Sequence, residues 1–337
     1  MEEDKDYMLR CLQLAKLGLG RTKTNPLVGS VIVHAGKIIG EGYHHAYGQA
    51  HAEVNAIASV SDLSLLPEST LYVNLEPCSH HGKTPPCADL IVQHAIKRVV
   101  IGCEDSYKEV NGMGIKKLRD AGISVEVGVL EKESKELNKR FFTYHQKKRP
   151  FVVLKWAQSS DGFIDRNRDA GEAPTRISSE MSSRLVHKWR SEEQAILIGK
   201  NTLVKDNPRL DARFGFEPSP AVVVLGYKEG NWNIWENNST KYLFGTKGQE
   251  GKSGNYFPKM ELRSVLQTLH NEGICSVLVE GGAKVLNSFL EADCWDEIRV
   301  VESSTNLLQG VQAPLLTFAP DSMEMLGTDR IKYFKHV

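Results

Sequence analysis

Three residues in the first third of the chain, His51, Cys78 and Cys87, carry side chains that can hold a transition metal. One imidazole nitrogen and two thiolates suit zinc, which takes nitrogen and sulfur donors in tetrahedral geometry. Three protein ligands leave one tetrahedral position open to water, as a catalytic zinc needs and a structural zinc lacks. Water in that position ionises near neutral pH and becomes a nucleophile. Glu53 follows His51 by two residues and is a carboxylate placed to move protons. Each residue alone has a plainer explanation, His51 as a helix start and the cysteines as small buried apolar groups. The four together are harder to explain that way. A structural zinc completed by His80 or His81 is the other alternative, and it leaves Glu53 without a task.

The elements that must position these groups can be read around them. His51–Val60 reads as a helix, 71–75 as a short strand leading to the first cysteine, and Cys87–Ala95 as the next helix. Two helix N-termini then converge, and their positive ends favour thiolate and hydroxide. Pro77 and Pro85-Pro86 stiffen the connection. The combination H-x-E with P-C-x-x-C marks zinc nucleobase deaminases. Here eight residues separate the cysteines instead of two. The insert Ser79-His80-His81-Gly82-Lys83-Thr84 offers polar and cationic groups beside the metal, with Lys83 suited to a phosphate. A plain solvated loop is the alternative.

Away from this centre the pattern is alternating β and α. Residues 6–18 form an amphipathic helix on Met8, Leu12 and Ala15. Residues 27–34 and 37–42 form a hairpin turning at Gly36. A strand at 98–102, a helix at 113–121, a strand at 123–127 and a charged helix over 131–146 follow. Gln146-Lys147-Lys148-Arg149-Pro150 is the boundary, giving domains 1–146 and 151–337 joined by a 147–150 linker. In the second domain, strands are expected at 151–155, 195–198, 221–225, 241–244, 276–280 and 297–302. Helices are expected near 178–190, 261–271 and 282–291, with a long loop within 228–258. Gly281-Gly282 follows an apolar strand and opens a helix, where backbone N–H groups can receive a phosphate. Ordinary turn geometry is the alternative there. The class is α/β in both domains.

The bulk numbers exclude some functions. The chain has 337 residues, with 42 Lys+Arg against 42 Asp+Glu and hence zero formal net charge. That opposes broad nucleic-acid binding, which needs a basic surface. No stretch reaches the roughly 18 apolar residues of a membrane span, and the acidic start lacks a secretory core. The expectation is a cytoplasmic protein whose six cysteines are thiols or metal ligands, not disulfides.

The run from Pro77 to Cys87 resembles the deaminase motif of the bifunctional riboflavin-biosynthesis deaminase/reductase family. Thr24-Asn25-Pro26-Leu27-Val28-Gly29, Gly42-Tyr43-His44, Asp206-Asn207-Pro208-Arg209-Leu210 with Arg213, and Val279-Glu280-Gly281-Gly282 are similar to further motifs of that family, in order. The resemblance implies a cytidine-deaminase-like domain followed by a dihydrofolate-reductase-like domain. The first would deaminate 2,5-diamino-6-ribosylamino-4(3H)-pyrimidinone 5′-phosphate, and the second would reduce the ribosyl group to ribityl with NADPH. By resemblance His51, Cys78 and Cys87 hold zinc and Glu53 moves the proton. Asn25, His44, His80, Lys83 and Asp105 would contact the deaminase substrate. NADPH would meet Ala157, Thr202, Asp206 and the segment Gly281, Gly282, Ala283, Lys284 and Val285. The reductase substrate would meet Arg190, Leu210, Arg213 and Glu280, with Lys155 and Asp161 nearby. The partner is then a small pyrimidine nucleotide, and a homo-oligomer, dimer or tetramer, is expected. Departures from the family pattern fall at Ser106-Tyr107, at Arg176 and at Asp211, and the chain ends about one strand early. A zinc deaminase with an inactive or repurposed second domain, and a nucleic-acid-binding protein with structural zinc, are the competing readings.

Overall fold

The computed structural model describes residues 2–79, 85–105, 112–169, 172–245 and 252–336. His80, Lys83, Ser106 and Tyr107 lie outside the described residues. The chain divides into two compact units, Met1–Lys148 and Arg149–Val337. Among the described residues no helix is long and apolar enough to cross a membrane.

The amino-terminal unit contains α1 (Glu2–Lys16), β1 (Gly29–His34), β2 (Lys37–Tyr43), α2 (Ala52–Ala58), β3 (Thr70–Leu75), α3 (Cys87–Gln93), β4 (Arg98–Cys103), α4 (Met113–Asp120), β5 (Ser124–Val127), α5 (Glu131–Leu137) and α6 (Lys139–Lys147). Its sheet runs β2-β1-β3-β4-β5. The first pairings are antiparallel, while β3, β4 and β5 are parallel. Strands β3 and β4 are near-continuous apolar runs because helices cover both faces, while the edge strand β5 is only partly buried. One face packs Ile32, Leu71, Val73 and Ile101 against Ile57, Ile91 and Leu118. The other packs Val31, Tyr72 and Val100 against Met8, Cys11 and Leu14 of α1. Each such fully buried aliphatic side chain contributes about 1.5–3 kcal/mol.

Local departures from the sequence reading have physical causes. Helix α1 starts at Glu2 rather than residue 6, with Glu2, Glu3 and Asp4 in its first turn, where carboxylates favour the helix dipole. His51 is the N-cap of α2 rather than its first residue. The charged helix over 131–146 is two helices, broken at Asn138. That side chain accepts from Leu27 N at 2.8 Å and donates to Leu27 O at 3.0 Å. Asn138 is 1% exposed, so a tertiary contact overrides helical continuity.

The carboxy-terminal unit contains β6 (Phe151–Gln158), β7 (Phe163–Asp165), α7 (Glu180–Glu192), β8 (Ala195–Gly199), α8 (Lys200–Asp206), β9 (Ala221–Tyr227), β10 (Lys241–Gly245), β11 (Asn255–Phe257), α9 (Leu262–Asn271), β12 (Ser276–Val279), α10 (Ala283–Glu291), β13 (Glu297–Glu302), β14 (Val311–Gln312), β15 (Ser322–Leu326) and β16 (Asp329–Lys335). Among the described residues nine strands form one sheet, β11-β10-β9-β8-β12-β6-β13-β16-β15. All neighbours are parallel as far as β13, and β16 and β15 close the edge antiparallel. The core gathers Leu154, Leu197, Val279, Leu286, Phe289 and Ile298, all 0% exposed. The short helix α8 and the β15–β16 hairpin are absent from the sequence reading. Within 228–258 the strand expected at 241–244 is β10, while β11 and a 3-10 turn at Asn233–Glu236 were not read from the sequence.

Ligands of parallel sheets gather where the strands end at their carboxyl side. Cys78 follows β3, Asp105 follows β4, Gly199 ends β8 and Glu280 follows β12.

Candidate functional site

In the amino-terminal unit the metal-ligating atoms of His51, Cys78 and Cys87 all lie within 4.8 Å of one another. His51 Nδ1 is 3.5 Å from Cys78 Sγ and 3.3 Å from Cys87 Sγ. A zinc with ordinary bond lengths separates a nitrogen and a sulfur ligand by about 3.5 Å in a tetrahedron. The spacing and the donor set therefore fit zinc. His51 projects from the N-cap of α2, and Cys87 is the first residue of α3. The Cys87 N–H donates to Cys78 Sγ at 3.3 Å. The Cys78 thiol is pulled far below its ordinary range by the Cys87 side chain and then by His51, against burial. Cys87 is pushed up by that same bond and by burial. His51 is raised by its bond to Cys78. The metal-free cluster thus takes one negative charge readily and resists a second, which a cation would relieve.

Glu53 sits in the first turn of α2 and is 3% exposed. Burial, with the Cys78 sulfur adding repulsion, raises its carboxyl to about 6. His44, also 3% exposed, lies edge-on to His51 with ring centroids 5.6 Å apart. Its Nδ1 faces the Ala50 carbonyl at 3.0 Å and must donate to it. Its Nε2 is left to accept from Asn25 Nδ2 at 3.1 Å. Burial lowers the His44 pKa and favours that neutral form. Asn55 donates to the Tyr43 carbonyl at 2.8 Å and supports the same corner. Asn25 and His44 are thus brought together beside His51. Asp105 is 6% exposed, and its backbone is tied to Glu76.

In the carboxy-terminal unit a second group of charges, largely but not fully buried, forms. Glu280 accepts Arg190 Nε at 2.8 Å and Nη2 at 2.7 Å, with Lys155 Nζ at 3.9 Å. Burial would raise the Glu280 carboxyl, but the Arg190 and Lys155 charges outweigh it and hold it at about 2. Burial lowers Lys155. Arg190 and His187 both meet the Asp211 carbonyl, at 3.2 and 3.1 Å. Burial and the neighbouring Arg190 and Arg213 charges hold His187 at about 4. The Asp211 carboxylate pairs with Arg213 Nε at 2.9 Å and Arg209 Nε at 3.3 Å. Asp211 is therefore neutralised by two guanidinium groups. Arg213 is half exposed, while Leu210 is buried in the apolar core with Ile196 and Val222. Arg176 is exposed.

The Gly281-Gly282 turn leads into α10, whose N-cap Gly282 provides no side-chain cap. Gly282 N–H meets Thr202 Oγ1 at 3.2 Å. A Cβ on Gly281 would stand 2.7 Å from Val285 Cβ, so the backbone there is open only because a methyl is missing. A helix start without a side-chain cap and a cradle that a side chain would fill suit a phosphate group of a nucleotide cofactor. Lys284 is exposed and Ala283 and Val285 half-buried on α10. Ala157 lies near the end of β6, opposite Val301. Asp206 is bonded by Arg168, which also holds Asp165 at 2.7 Å. Asp161 caps the backbone of Leu307 and Leu308 at 3.1 and 2.7 Å. Sequence reading missed Glu76, Asn55, His187 and Arg168. Of these only Glu76 carried a signal, a carboxylate placed between a strand end and Pro77-Cys78.

Two family models match the chain. Residues 1–103 match the cytidine and deoxycytidylate deaminase zinc-binding region, and residues 150–307 match the RibD C-terminal domain. The riboflavin biosynthesis protein RibD of Aquifex aeolicus is 36% identical, covering 99% of both chains. That of Actinobacillus pleuropneumoniae is 45% identical over 86% of this chain and 80% of its own. A Thermotoga maritima diaminohydroxyphosphoribosylaminopyrimidine deaminase/5-amino-6-(5-phosphoribosylamino)uracil reductase superposes with a TM-score of 0.91 at 36% identity over 99% of each chain. Acinetobacter baumannii RibD superposes equally well, with a TM-score of 0.91 at 31% identity and 99% coverage of each.

Proposed function

The chain belongs to the RibD family of riboflavin biosynthesis proteins, and on that premise we propose how its two units divide a deamination and a reduction. The chain is a bifunctional deaminase and reductase of riboflavin biosynthesis. Residues 1–146 deaminate 2,5-diamino-6-ribosylamino-4(3H)-pyrimidinone 5′-phosphate, and residues 151–337 reduce the ribosyl group of the product to ribityl. The convergence of His51, Cys78 and Cys87 beside the buried Glu53 carries this reading.

His51, Cys78 and Cys87 would hold zinc. A zinc with three protein ligands keeps one position open and brings the pKa of water there near neutrality. Glu53 is held at about 6, so near neutral pH it both accepts and returns a proton at modest cost. It takes the proton of the attacking water and returns it to the departing amine nitrogen. Asn25, His44 and Asp105 orient the pyrimidine, with His80 and Lys83 from the cysteine insert completing the contacts.

In the reductase unit Gly281, Gly282, Ala283, Lys284 and Val285, with Ala157, Thr202 and Asp206, would hold NADPH. NADPH supplies the hydride, so the protein chiefly positions. Glu280 and Lys155 face the substrate as a fixed anion and cation, with Leu210 supporting the wall. Arg190 is bidentate to Glu280, whereas the half-exposed Arg213 meets Asp211 through Nε alone and has its terminal N–H groups to offer the substrate phosphate.

The test supplies the diaminopyrimidine nucleotide with and without NADPH and identifies the products. Deaminated ribosyl product without NADPH and ribityl product with it are expected. Unchanged substrate in both arms would refute the proposal. Ribosyl product in both would leave the first unit a deaminase and remove the reductase.

A further inference from the structure

The Glu76 carboxylate is 4% exposed and has no chemical role in the reading above. It accepts four backbone N–H groups. Oε2 takes Asp105 at 3.2 Å and Gly112 at 3.0 Å, while Oε1 takes Gly114 at 2.8 Å and Ile115 at 3.2 Å. A carboxylate has about four acceptor sites, so these donors occupy its capacity. Its own N–H donates to the Cys103 carbonyl at 3.0 Å. Next in the chain come Pro77 and the metal-ligating Cys78. A Cβ on Gly114 would stand 2.0 Å from the Pro77 carbonyl oxygen, so the start of α4 rests on the backbone of that turn.

An ordinary helix cap would explain only the donors at Gly112, Gly114 and Ile115. The Asp105 amide comes from a different segment, the end of β4. One side chain therefore ties together the Pro77-Cys78 turn, the start of α4 and Asp105. Resting on the deaminase reading above, we propose that Glu76 is a positioning residue for deamination, fixing the substrate contact Asp105 relative to the ligand turn at Cys78. Glutamine at this position keeps one acceptor oxygen and points an amide donor at amide donors. Aspartate is one methylene too short to reach both segments. Groups that orient active-site residues from behind typically carry 10–100-fold of affinity or activity.

The experiment uses the full chain with Glu76→Gln and Glu76→Asp. The readouts are zinc content, deaminase kcat and KM on the diaminopyrimidine nucleotide, and reductase rate on the deaminated nucleotide. Parent-like zinc content and reductase rate are expected, with deaminase kcat/KM about 10–100-fold lower and most of the loss in KM. A kcat/KM within twofold of the parent overturns the proposal. Loss of zinc together with activity also overturns it, because Glu76 would then serve only the metal-ligand turn. A parent chain without deaminase activity defeats the functional reading instead. Hydrogen exchange on the parent gives a second test that needs no variant. The amides of Gly112, Gly114 and Ile115 should exchange as slowly as those of β3, and loop-like exchange overturns the proposal.

Discussion

Each unit holds a largely buried glutamate at its candidate centre, and the two carboxyls are driven in opposite directions. Glu53 faces two sulfurs and an imidazole, and burial raises it to about 6. Glu280 faces a guanidinium and an ammonium, which hold it at about 2 although its side chain is largely buried too. The lesson is that burial raises an acid, as at Glu53, and that opposite charges beside it can outweigh burial, as at Glu280. On the reading proposed above, the first passes a proton near neutral pH. The other is a permanent anion that holds two cations in place. This matches the chemistry each unit needs, since deamination moves protons while the cofactor carries the hydride.

The largest effect is expected at Glu53. Glu53→Gln keeps the shape and the three ligands but removes the proton carrier, so deamination should fall about 10²- to 10⁴-fold. Zinc content and the reductase rate should match the parent. Full deaminase activity in the variant would end the assignment of Glu53 and with it the contrast between the two acids.

Glu280→Gln tests the opposite side. It leaves Arg190 and Lys155 as buried cations without a counter-charge, which costs about 3–5 kcal/mol. All five tryptophans, Trp156, Trp189, Trp232, Trp235 and Trp295, lie in the carboxy-terminal unit, so urea unfolding followed by tryptophan fluorescence reads that unit alone. A change below about 1 kcal/mol would show that Glu280 is no structural counter-ion.

The same pair has a pH signature. The folded pKa of Glu280 is depressed from 4.5 to about 2, so its stabilisation is full above 4.5 and is lost as pH falls toward 2. The stability gap between parent and Glu280→Gln should therefore narrow by about 1–3 kcal/mol across that window. A gap that stays constant from pH 5 to pH 2.5 contradicts the ion-pair account.

The sequence made these centres unequally visible. The candidate metal cluster was legible because ligand chemistry constrains both residue type and spacing, and the side chains of His51, Cys78 and Cys87 do come together. The parallel strands were legible as apolar runs. Asn138 was not legible and Glu76 was legible only by its place before Pro77-Cys78, because their importance lies in backbone partners 111 and 29 to 39 residues away. The break between α5 and α6 follows from the same cause. The β15–β16 hairpin was missed because its outer strand leaves Met323 and Met325 exposed, so it lacks a buried apolar rhythm. The Arg190–Glu280 pair was hidden for the opposite reason. Each residue reads alone as a ligand contact, and only the fold shows that they contact each other.

The smallest expected effect separates two adjacent glycines and asks whether the second unit depends on shape rather than on a titrating group. A methyl on Gly281 would meet Val285 Cβ at 2.7 Å, whereas one on Gly282 would meet Thr202 Oγ1 at 3.5 Å, an ordinary contact. Gly281→Ala must therefore push the first turn of α10 outward and should weaken NADPH binding about tenfold, or about 1.4 kcal/mol. Gly282→Ala changes only the N-cap residue of an already uncapped helix and should cost a few tenths of a kcal/mol in stability. Adding Val285→Ala to Gly281→Ala makes room for the methyl and should recover most of the lost affinity, measured by quenching of tryptophan fluorescence on titration with NADPH. Equal losses at the two glycines, with no recovery in the double variant, would mean that the turn binds the cofactor through something other than its open backbone. The deaminase rate should be the same in all three variants, since no proton carrier has been touched.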